Sequence, residues 1–336
     1  MSEEYSSLLG AFEGMRVAVV GDYLLDRYIV GHSARVSREA PIVVIEHERE
    51  VNHPGGAANA AQNISALGAV AVAVGVLGDD SEGSALSALL SERGVDASGL
   101  VVDEHAHTST KLRILAGEMN AQKQQVARVD RSHRVVLDGS LRERLSAVAE
   151  AAVASCDAVL VSDYGMGVTS DGIASAVLAG ANARGIPVVI DSRFNLADFA
   201  GATVATPNEV ESLDALGIRS GARIEDAELA SRLIKHSGIE SFVVTQGSQG
   251  MLVCHPDGTC SRVGIVGSNE ATDVTGAGDT VSAVVALSLA SAATLLDAAR
   301  MATYAAAVVV MKRGTATASV DEIRQLVKRF PVADRS

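Results

Sequence analysis

The sequence predicts an α/β fold, a doubly wound, mostly parallel β-sheet with helices on both faces. Along its 336 residues, short apolar runs alternate with helical stretches, which is the pattern of successive βαβ units. Hydrophobic residues make up 48% of the chain but aromatic residues only 3%, so Val, Ala, Leu and Ile must fill most of the core. That composition suits strands buried on both faces.

Short apolar runs are predicted to form the strands of this sheet. They lie at 16–20, 70–76, 158–162, 187–191, 203–206 and 241–245. Helices are predicted between these strands, at 56–67, 81–93, 141–154, 171–184 and 226–236. Ser81 is the predicted N-terminal capping residue of the helix at 81–93. We expect residues 1–336 to form a single domain.

Two strand-like segments of the N-terminal half interrupt this alternation. One contains Ile42-Val-Val-Ile45, and the other contains Lys111-Leu-Arg-Ile-Leu115 and Gln125-Val-Ala-Arg-Val-Asp130. We predict that residues 27–53 and 108–130 form one small discontinuous sheet that stands off the main domain as a lid. The alternative is an extra edge of the main sheet.

The formal net charge of −13 argues against a nucleic acid or an anionic membrane surface as partner, because neutralising phosphates requires clustered Lys and Arg. A small phosphorylated ligand needs only a few cations or backbone N–H groups. The first ten residues contain Glu3 and Glu4 but no apolar signal region, and no apolar stretch is long enough to span a bilayer. We therefore predict a cytoplasmic protein.

Two of the three cysteines, Cys254 and Cys260, flank a predicted hairpin turn at Pro256-Asp257-Gly258. They are expected to face each other across two strands as reduced thiols. A disulfide or half of a metal site is the alternative.

The run Asp273-Val-Thr-Gly-Ala-Gly-Asp-Thr280, followed by an apolar helix, is the strongest functional signal. Glycines ahead of a helix leave backbone N–H groups open to an anion, so Gly276, Ala277 and Gly278 are predicted to form an anion hole. Asp279 in such a site would repel phosphate. It fits as a general base that takes the proton of a hydroxyl attacking a phosphoryl group. The alternative is a first-turn aspartate that only complements the helix dipole.

Two motifs near the N-terminus offer ligand groups of another kind. In Pro54-Gly-Gly-Ala-Ala-Asn59, paired glycines before a helix permit close backbone approach, and Asn59 offers donors and acceptors. Asp26 in Gly21-Asp-Tyr-Leu-Leu-Asp26 follows the first strand, where open α/β sheets bind ligands. The alternative for the glycine pair is a plain turn and helix start.

Two later motifs add to these groups. Glu211 in Thr206-Pro-Asn-Glu-Val-Glu211 carries hard oxygen atoms suited to Mg²⁺ through water, although a helix start after Pro207 also accounts for it. In Thr245-Gln-Gly-Ser-Gln-Gly250, Gly247 and Gly250 follow a strand and permit close approach of a ligand.

Together these motifs resemble the ribokinase/PfkB carbohydrate kinase superfamily, whose C-terminal signature is DTxGAGD, over residues 16–330. The resemblance implies an ATP-dependent sugar kinase in which Asp279 is the catalytic base and Gly276, Ala277 and Gly278 stabilise the transferring phosphoryl group. The implied sugar-binding residues are Asp26, Gly55, Gly56 and Asn59. The residues implied for binding ATP are Asn208, Glu209, Val210, Glu211, Thr245, Gly247, Gly250 and Thr303. Of these, Glu211 is also implied for Mg²⁺. Asp273 and Thr275 are implied for a monovalent cation such as K⁺.

Within this superfamily, the sequence is most similar to the heptose 7-phosphate kinases of ADP-heptose synthesis. Four stretches carry the similarity. Residues 21–28 resemble the motif GDxMLDRY, and residues 33–41 resemble a SRISPEAP-like lid segment. Residues 110–113 together with 124–130 resemble TKLR…QQxxRxD, and residues 162–167 resemble SDYxKG. The similarity implies heptose 7-phosphate as substrate, heptose 1,7-bisphosphate as product, and a homodimer formed through the lids. The residues expected to bind the sugar phosphate are Arg35, Lys111, Arg113, Arg128, Asp163 and Arg193, with surface charge as the alternative for the cations.

Three departures from that branch leave the sugar open. Met166 stands where the heptose kinases have Lys, Asp191-Ser-Arg193 replaces their Asp-Pro-Lys, and residues 117–123 resemble an insertion in the lid. The chain also ends at Ser336 without the HxGH-type nucleotidyltransferase domain of fused ADP-heptose synthases. Another protein is therefore expected to carry out adenylylation.

Two other functions are compatible with the motifs: a kinase of an unphosphorylated sugar such as ribose or fructose, and a non-catalytic sugar or nucleotide sensor on the same fold. A Rossmann oxidoreductase is disfavoured because no GxGxxG follows the first strand, and a P-loop kinase because GxxxxGK[ST] is absent.

Overall fold

The computed structural model describes residues 2–118, 123–219, 221, 223–267, 271–330 and 334–335. They form a ten-stranded, mostly parallel sheet with helices on both faces and a separate four-stranded sheet, which confirms the predicted fold class. In chain order the elements are α1 (Ser2–Ala11), β1 (Arg16–Gly21), β2 (Tyr23–Val36), β3 (Val43–Gly56), α2 (Ala57–Ala66), β4 (Val70–Gly78), α3 (Ser81–Glu92), β5 (Asp96–Asp103), β6 (Ser109–Gly117), β7 (Gln124–Arg131), α4 (Gly139–Ser155), β8 (Ala158–Asp163), α5 (Ile173–Arg184), β9 (Val188–Ser192), β10 (Val204–Ala205), α6 (Glu209–Ala215), α7 (Asp226–Ser237), β11 (Ser241–Thr245), β12 (Met251–Cys254), β13 (Cys260–Val263), α8 (Ala277–Ala290), α9 (Leu295–Val309), α10 (Val320–Arg329) and β14 (Asp334–Arg335).

The large sheet has the strand order β14-β13-β12-β11-β10-β9-β8-β1-β4-β5. Neighbouring strands from β5 to β11 are parallel, and those from β11 to β14 are antiparallel. In the central strand β1, Val17 and Val19 pack against helices that include α1, α2 and α8, whereas Ala18 and Val20 pack against helices that include α4, α5 and α7. Because alternate side chains point to opposite faces, a strand covered on both sides must be apolar throughout.

The small sheet has the order β3-β2-β6-β7, in which β2 and β6 are parallel and the two outer pairs are antiparallel. Among the described residues it shares no strand with the large sheet, so the alternative of an extra edge is wrong. Its strands extend beyond the predicted bounds, from Tyr23 to Gly56 in the first pair, and so reach both N-terminal ligand motifs. Of the predicted insertion, residues 119–122 lie outside the described residues, as does the side chain of Arg35.

Predicted and observed bounds of the other elements differ by a few residues, and two differences have a clear cause. Helix α3 is capped by Asp80 and not by Ser81, because Oδ1 of Asp80 accepts the N–H of Gly83 at 2.7 Å. Helix α5 begins at Ile173 because Asp171 and Gly172 have φ angles of 50° and 91°, outside the right-handed helical region.

Two smaller predictions can also be compared with the structure. Cys254 and Cys260 lie opposite each other on β12 and β13, and both are free thiols, as expected. In the ranges that the structure describes, no helix combines the length and the apolar character needed to cross a membrane.

Candidate active site

Three neighbouring parallel strands end at the same edge of the large sheet, and an aspartate stands at or just after the end of each. Asp22 directly follows β1, Asp163 is the last residue of β8, and Asp191 is the penultimate residue of β9. The strand order places β1, β8 and β9 side by side, so these carboxyl groups gather at the carboxyl edge of the sheet, where open α/β folds bind ligands. Helix α8 reaches the same edge, since Ser282 Oγ donates to Oδ2 of Asp191 at 3.3 Å.

Asp279 is the third residue of α8 and is only 4% exposed. Its two carboxylate oxygens each accept one hydrogen bond: Oδ2 from Nδ2 of Asn59 at 2.6 Å, and Oδ1 from the hydroxyl of Tyr164 at 2.8 Å. Burial raises the pKa of Asp279 above its ordinary value, although these two bonds and the charge of Arg193 oppose the rise. The carboxylate is therefore fixed in orientation and is a stronger base than a solvated aspartate.

Asp191 is the second carboxyl group beside Asp279. Burial and the charge of Asp279 raise the pKa of Asp191 to about 8. Two carboxylates in such proximity do not both ionise easily, so one proton is retained by the pair. The two hydrogen bonds that Asp279 accepts favour its ionised form, whereas burial and the charge of Asp279 favour the protonated form of Asp191. Asp191 was not among the predicted site residues.

The predicted anion hole lies at the first turn of α8. Gly276 is the N-cap and has a φ of 78°, which side chains disfavour. A Cβ there would also lie 2.4 Å from Nδ2 of Asn59, so both the backbone conformation and the space favour glycine. A Cβ on Gly278 would meet no heavy atom within 4 Å. The Ala277 N–H donates to the carbonyl of Val274 at 3.2 Å, whereas no described residue accepts the N–H of Gly276 or of Gly278. Two unbonded N–H groups at the start of a helix fit an anionic ligand.

Asn59 is fully buried and anchors Asp279 to helix α2. Its side-chain oxygen accepts a hydrogen bond from Nε2 of Gln62 at 2.6 Å, and Oε1 of Gln62 in turn accepts one from Nε of Arg93 at 2.6 Å. The resemblance assigns Asn59 to sugar binding, but here its amide donates to Asp279 and to the carbonyl of Gly276. Asn59 is thus a positioning residue for Asp279.

Tyr164 links Asp279 to two predicted substrate-binding cations. Nζ of Lys111 lies 4.7 Å from the centre of the Tyr164 ring, and Cζ of Arg193 lies 4.5 Å from it. Cation–π contacts of this kind stabilise both charges next to the ring. Asp22 fixes the loop that carries Tyr164 by accepting backbone N–H groups of residues 164, 166 and 168 at 2.8, 3.0 and 3.3 Å.

The predicted ligand residues Asp26 and Arg113 form a buried ion pair. Nη1 of Arg113 lies 2.6 Å from Oδ1 of Asp26, and the two residues are 8% and 3% exposed. The Arg113 guanidinium also lies over the ring of Tyr28, 5.3 Å from its centre. A Cβ on Gly55 would lie 3.0 Å from Cγ of Asp26, which explains the glycine there. Arg113 therefore neutralises Asp26, and its charge is not free for a ligand.

The other predicted sugar-site residues have partners in the protein. Asp163 accepts hydrogen bonds from the Gly165 N–H, Thr169 Oγ1 and Ser192 Oγ at 3.0, 3.2 and 2.7 Å. It therefore joins the loop that follows β8 to the end of β9. Arg128 lies on the exposed strand β7 with its Nε 2.9 Å from Oδ1 of Asp130.

A cavity of about 400 Å³ opens beside the first turn of α8. It brings together predicted residues from three separate parts of the chain, and most of its remaining wall is apolar. The hydroxyl of Thr303 is already bonded to the carbonyl of Ala299 at 3.0 Å, so Thr303 contributes wall and not a free donor. An apolar cavity that ends at open helix N–H groups fits a planar base with a phosphate chain. The predicted residues that line it are Thr245, Gly247, Gly250, Ala277, Gly278 and Thr303.

Asn208 and Glu211 form a capping box at the start of α6. The Asn208 N–H donates to Oε2 of Glu211 at 2.8 Å, and the Glu211 N–H donates to Oδ1 of Asn208 at 2.9 Å. Oε1 of Glu211 lies outside the capping box and within ion-pair distance of Arg193, 3.9 Å from its Nε. Glu209 and Val210 are exposed in the same turn. This part of the site thus has the helix-start geometry, with one carboxylate oxygen left for a hydrated cation. Within the described ranges, no three His, Cys, Asp or Glu side chains converge to hold a metal ion directly.

Asp273 and Thr275 lie just before the anion hole. Oδ1 of Asp273 accepts the Thr275 N–H and Oδ2 accepts the Gly314 N–H, both at 2.9 Å. Burial alone would raise the pKa of Asp273, but these hydrogen bonds outweigh it and lower that pKa. The carboxylate organises the loop that precedes α8.

Removal of the Tyr164 hydroxyl should change how activity depends on pH. In Tyr164→Phe the ring between Lys111 and Arg193 is retained, but the Asp279 carboxylate loses a hydrogen bond worth about 1.5–3 kcal/mol. That bond favours the ionised form, so its loss raises the pKa of Asp279 and moves the acid limb of kcat/KM up by about 1 to 2 pH units. The measurement is the pH profile of kcat/KM, with Tyr5→Phe on α1 as the control. An unchanged acid limb would rule out this role.

Comparison with known proteins identifies the family of the chain. Residues 15–322 match the family described as pfkB family carbohydrate kinase. The chain is 38% identical over 332 residues to bifunctional protein HldE of Caulobacter sp. (strain K31) and 40% identical over 316 residues to that of Mesorhizobium japonicum. These alignments cover 96% and 94% of this chain but 65% and 62% of those proteins.

Solved structures resemble the chain over nearly its whole length. Ribokinase of Arabidopsis thaliana, complexed with ribose and ATP, has a TM-score of 0.71 at 18% identity and covers 94% of this chain and 99% of its own. Phosphofructokinase-2 of Escherichia coli, in complex with potassium, has a TM-score of 0.74 at 19% identity with the same coverage. At these identities the likeness establishes the fold.

Proposed function

The chain belongs to the pfkB family of carbohydrate kinases, and we propose that it transfers the γ-phosphoryl group of ATP to the anomeric hydroxyl of heptose 7-phosphate. The observation that supports this most strongly is the position of Asp279. It is a buried carboxylate, oriented by two hydrogen bonds, at the start of a helix that also lines an apolar cavity, and Lys111 and Arg193 lie on either side of its partner Tyr164.

In this mechanism the sugar hydroxyl lies against the Asp279 carboxylate. As the hydroxyl oxygen forms its bond to the γ-phosphorus, the bond to the β–γ bridging oxygen breaks, the hydroxyl proton passes to Asp279, and ADP leaves. Asn59 and Tyr164 hold the two carboxylate oxygens so that the base stays oriented toward the hydroxyl. The turn of Gly276, Ala277 and Gly278 stabilises the charge that develops on the transferring group, chiefly through the unbonded N–H groups of Gly276 and Gly278.

We assign the nucleotide to the cavity lined by Thr245, Gly247, Gly250 and Thr303. Glu211 would hold Mg²⁺ through water with Oε1, the oxygen that the capping box does not use, and the loop of Asp273 and Thr275 would hold a monovalent cation such as K⁺. Bound Mg²⁺ supplies positive charge to the phosphate chain. Titration of the activity with Mg²⁺ and with K⁺ tests both assignments.

The identity of the sugar rests on two observations. Two curated relatives named bifunctional protein HldE are 38% and 40% identical to the chain. The stretches at 21–28, 110–113 with 124–130, and 162–167 also resemble motifs of the heptose 7-phosphate kinases. Lys111 and Arg193 also concentrate positive charge at the site beside Tyr164, and a substrate that carries an additional negative charge gains more from this field than a neutral one. The assignment is tested by kcat/KM for heptose 7-phosphate, fructose 6-phosphate and the two free sugars with Mg-ATP. Heptose 7-phosphate should be the best of the four.

A kinase of an unphosphorylated sugar is the second candidate. It is favoured by the ion pair that binds Arg113 to Asp26 and by Met166, which stands where the heptose kinases have Lys. A free sugar with the highest kcat/KM would establish this candidate. A non-catalytic sensor would show nucleotide binding without turnover of any of these sugars.

We also propose that the protein forms a homodimer through its lid. The lid exposes five large apolar side chains, and such a patch is typical of an interaction surface. Light scattering should then give about twice the chain mass of 34.5 kDa, and the monomer mass would refute the pairing. The exposed residues are Val36, Ile42, Val43, Val126 and Val129.

A further inference from the structure

A second cleft, of about 520 Å³, lies between the lid and the main domain beside the proposed active site. Its lid wall comes from Tyr28, Arg49, Val51 and Arg113, and its main-domain wall includes Thr275 and Arg313. Thr275 directly precedes the predicted anion hole, so the cleft is contiguous with the site of Asp279. Neither Arg49 nor Arg313 was among the residues predicted to bind a ligand.

The cleft carries unbalanced positive charge. Arg49 and Arg313 are exposed, and neither forms an ion pair within the described part of the chain. Three other charged side chains that line the cleft are matched: Arg113 by Asp26, Lys123 by Glu48, and Asp273 by the two N–H groups that it accepts. Two free guanidinium groups on facing walls are the arrangement that binds a phosphate monoester, because each can donate two hydrogen bonds to its oxygens.

The hydroxyl of Tyr28 is an independent sign of a polar ligand in this cleft. Tyr28 is only 7% exposed, and its hydroxyl has no hydrogen-bond partner among the described residues. An unpaired buried hydroxyl is costly, and native structures seldom leave one without a partner. Burial raises the pKa of Tyr28 to about 12, so the hydroxyl keeps its proton at neutral pH and remains a donor.

The strand register sets the distance between the cleft and the reacting end of the site. Asp26, Tyr28 and Val30 alternate along β2 and so share one face of the lid, and Arg49 is paired with Val30 on the neighbouring strand. At about 3.4 Å per residue, Tyr28 is about 7 Å and Val30 about 14 Å along the strand from Asp26. A group held in the cleft is therefore several carbon atoms away from a hydroxyl held near Asp26 and Asp279.

We propose that this cleft binds the phosphate group that the sugar substrate already carries, with Arg49 and Arg313 as its cationic ligands and Tyr28 as a further donor. This inference rests on the proposed function. It assigns the substrate phosphate to residues other than Lys111 and Arg193, which stay at the reacting end beside Tyr164. Because Arg49 belongs to the lid and Arg313 to the main domain, one phosphate bound to both would hold the lid closed.

The test compares Arg49→Gln, Arg313→Gln and Tyr28→Phe with wild type, and Arg232→Gln on the surface of α7 serves as the matched control. Loss of a hydrogen-bonded charge should raise KM for heptose 7-phosphate about tenfold to a hundredfold in each arginine variant and less in Tyr28→Phe. KM for the free heptose and kcat should stay within about twofold, because a remote phosphate is bound alike in ground and transition states. Calorimetry with heptose 7-phosphate alone should show the same loss of affinity.

The failure of this inference differs from the failure of the proposed function. If wild type prefers heptose 7-phosphate but both arginine variants keep its KM and its calorimetric affinity, the cleft is not the phosphate site. If wild type prefers free sugars, the proposed substrate itself is wrong. Arg232→Gln should match wild type in KM for both sugars, in kcat and in the calorimetric affinity.

Discussion

Asp279→Asn is expected to lower kcat by roughly 10²–10⁴-fold, the usual contribution of a general base. The substitution keeps the shape of the side chain, and its amide can accept from Nδ2 of Asn59 while donating to the hydroxyl oxygen of Tyr164. It removes the lone pair that takes the hydroxyl proton. Nucleotide affinity should change little, because Asp279 does not line the apolar cavity assigned to the nucleotide. The midpoint of thermal unfolding should also change little, because the amide keeps both hydrogen bonds.

The control for this variant is Asp321→Asn, which removes an exposed carboxylate from α10. Its kcat should match that of wild type. A near-normal kcat in Asp279→Asn would show that Asp279 only complements the dipole of α8, and the proposed mechanism would fall with it.

Arg113→Ala should have the largest effect on stability, about 3–5 kcal/mol, because it leaves the Asp26 carboxylate buried without its partner. Burial already raises the pKa of Asp26 against the charge of Arg113, so removal of Arg113 raises that pKa further. The unfolded chain releases this proton near pH 3.9. Between that pH and the raised pKa the folded state holds more protons, so the free energy of unfolding falls as the pH rises.

The loss in Arg113→Ala should therefore be small under acidic conditions, where Asp26 is protonated, and full above its raised pKa. Urea titrations at pH 5 and pH 8 measure the difference. The double variant Asp26→Asn/Arg113→Met removes both charges and should recover most of the stability. An equal, small loss at both pH values would mean that the pair is not buried as described.

The fold was largely predictable from the sequence because its signals are local. The alternation of apolar strands and helices and the glycines at 55, 56, 276 and 278 are all visible within short windows. The separate small sheet was predictable because two strand-like segments, at 42–45 and 111–130, broke a regular pattern. The errors were also local: Asp80 replaced Ser81 as a cap, and Asp171 adopted a positive φ ahead of α5.

The relations between site residues were not predictable, because they join distant parts of the chain. Asn59 and Asp279 are 220 positions apart, and Tyr164 and Asp279 are 115 apart. The motifs nominated Arg113 as a free cation, and only the register of β2 with β6 places it where Asp26 neutralises it. A rule that could have identified Asp191 and Tyr164 is the clustering of polar residues at the carboxyl ends of adjacent parallel strands.

The most direct test of the central claim is ³¹P NMR of the wild-type protein with Mg-ATP and heptose 7-phosphate. The account predicts that ATP is converted to ADP and that one new sugar phosphate signal appears in equal amount, from a phosphate on the anomeric carbon, while the 7-phosphate signal is retained. The same sample with Asp279→Asn should show almost no conversion over the same time. No new ester with heptose 7-phosphate, together with phosphorylation of a free sugar, would contradict the account.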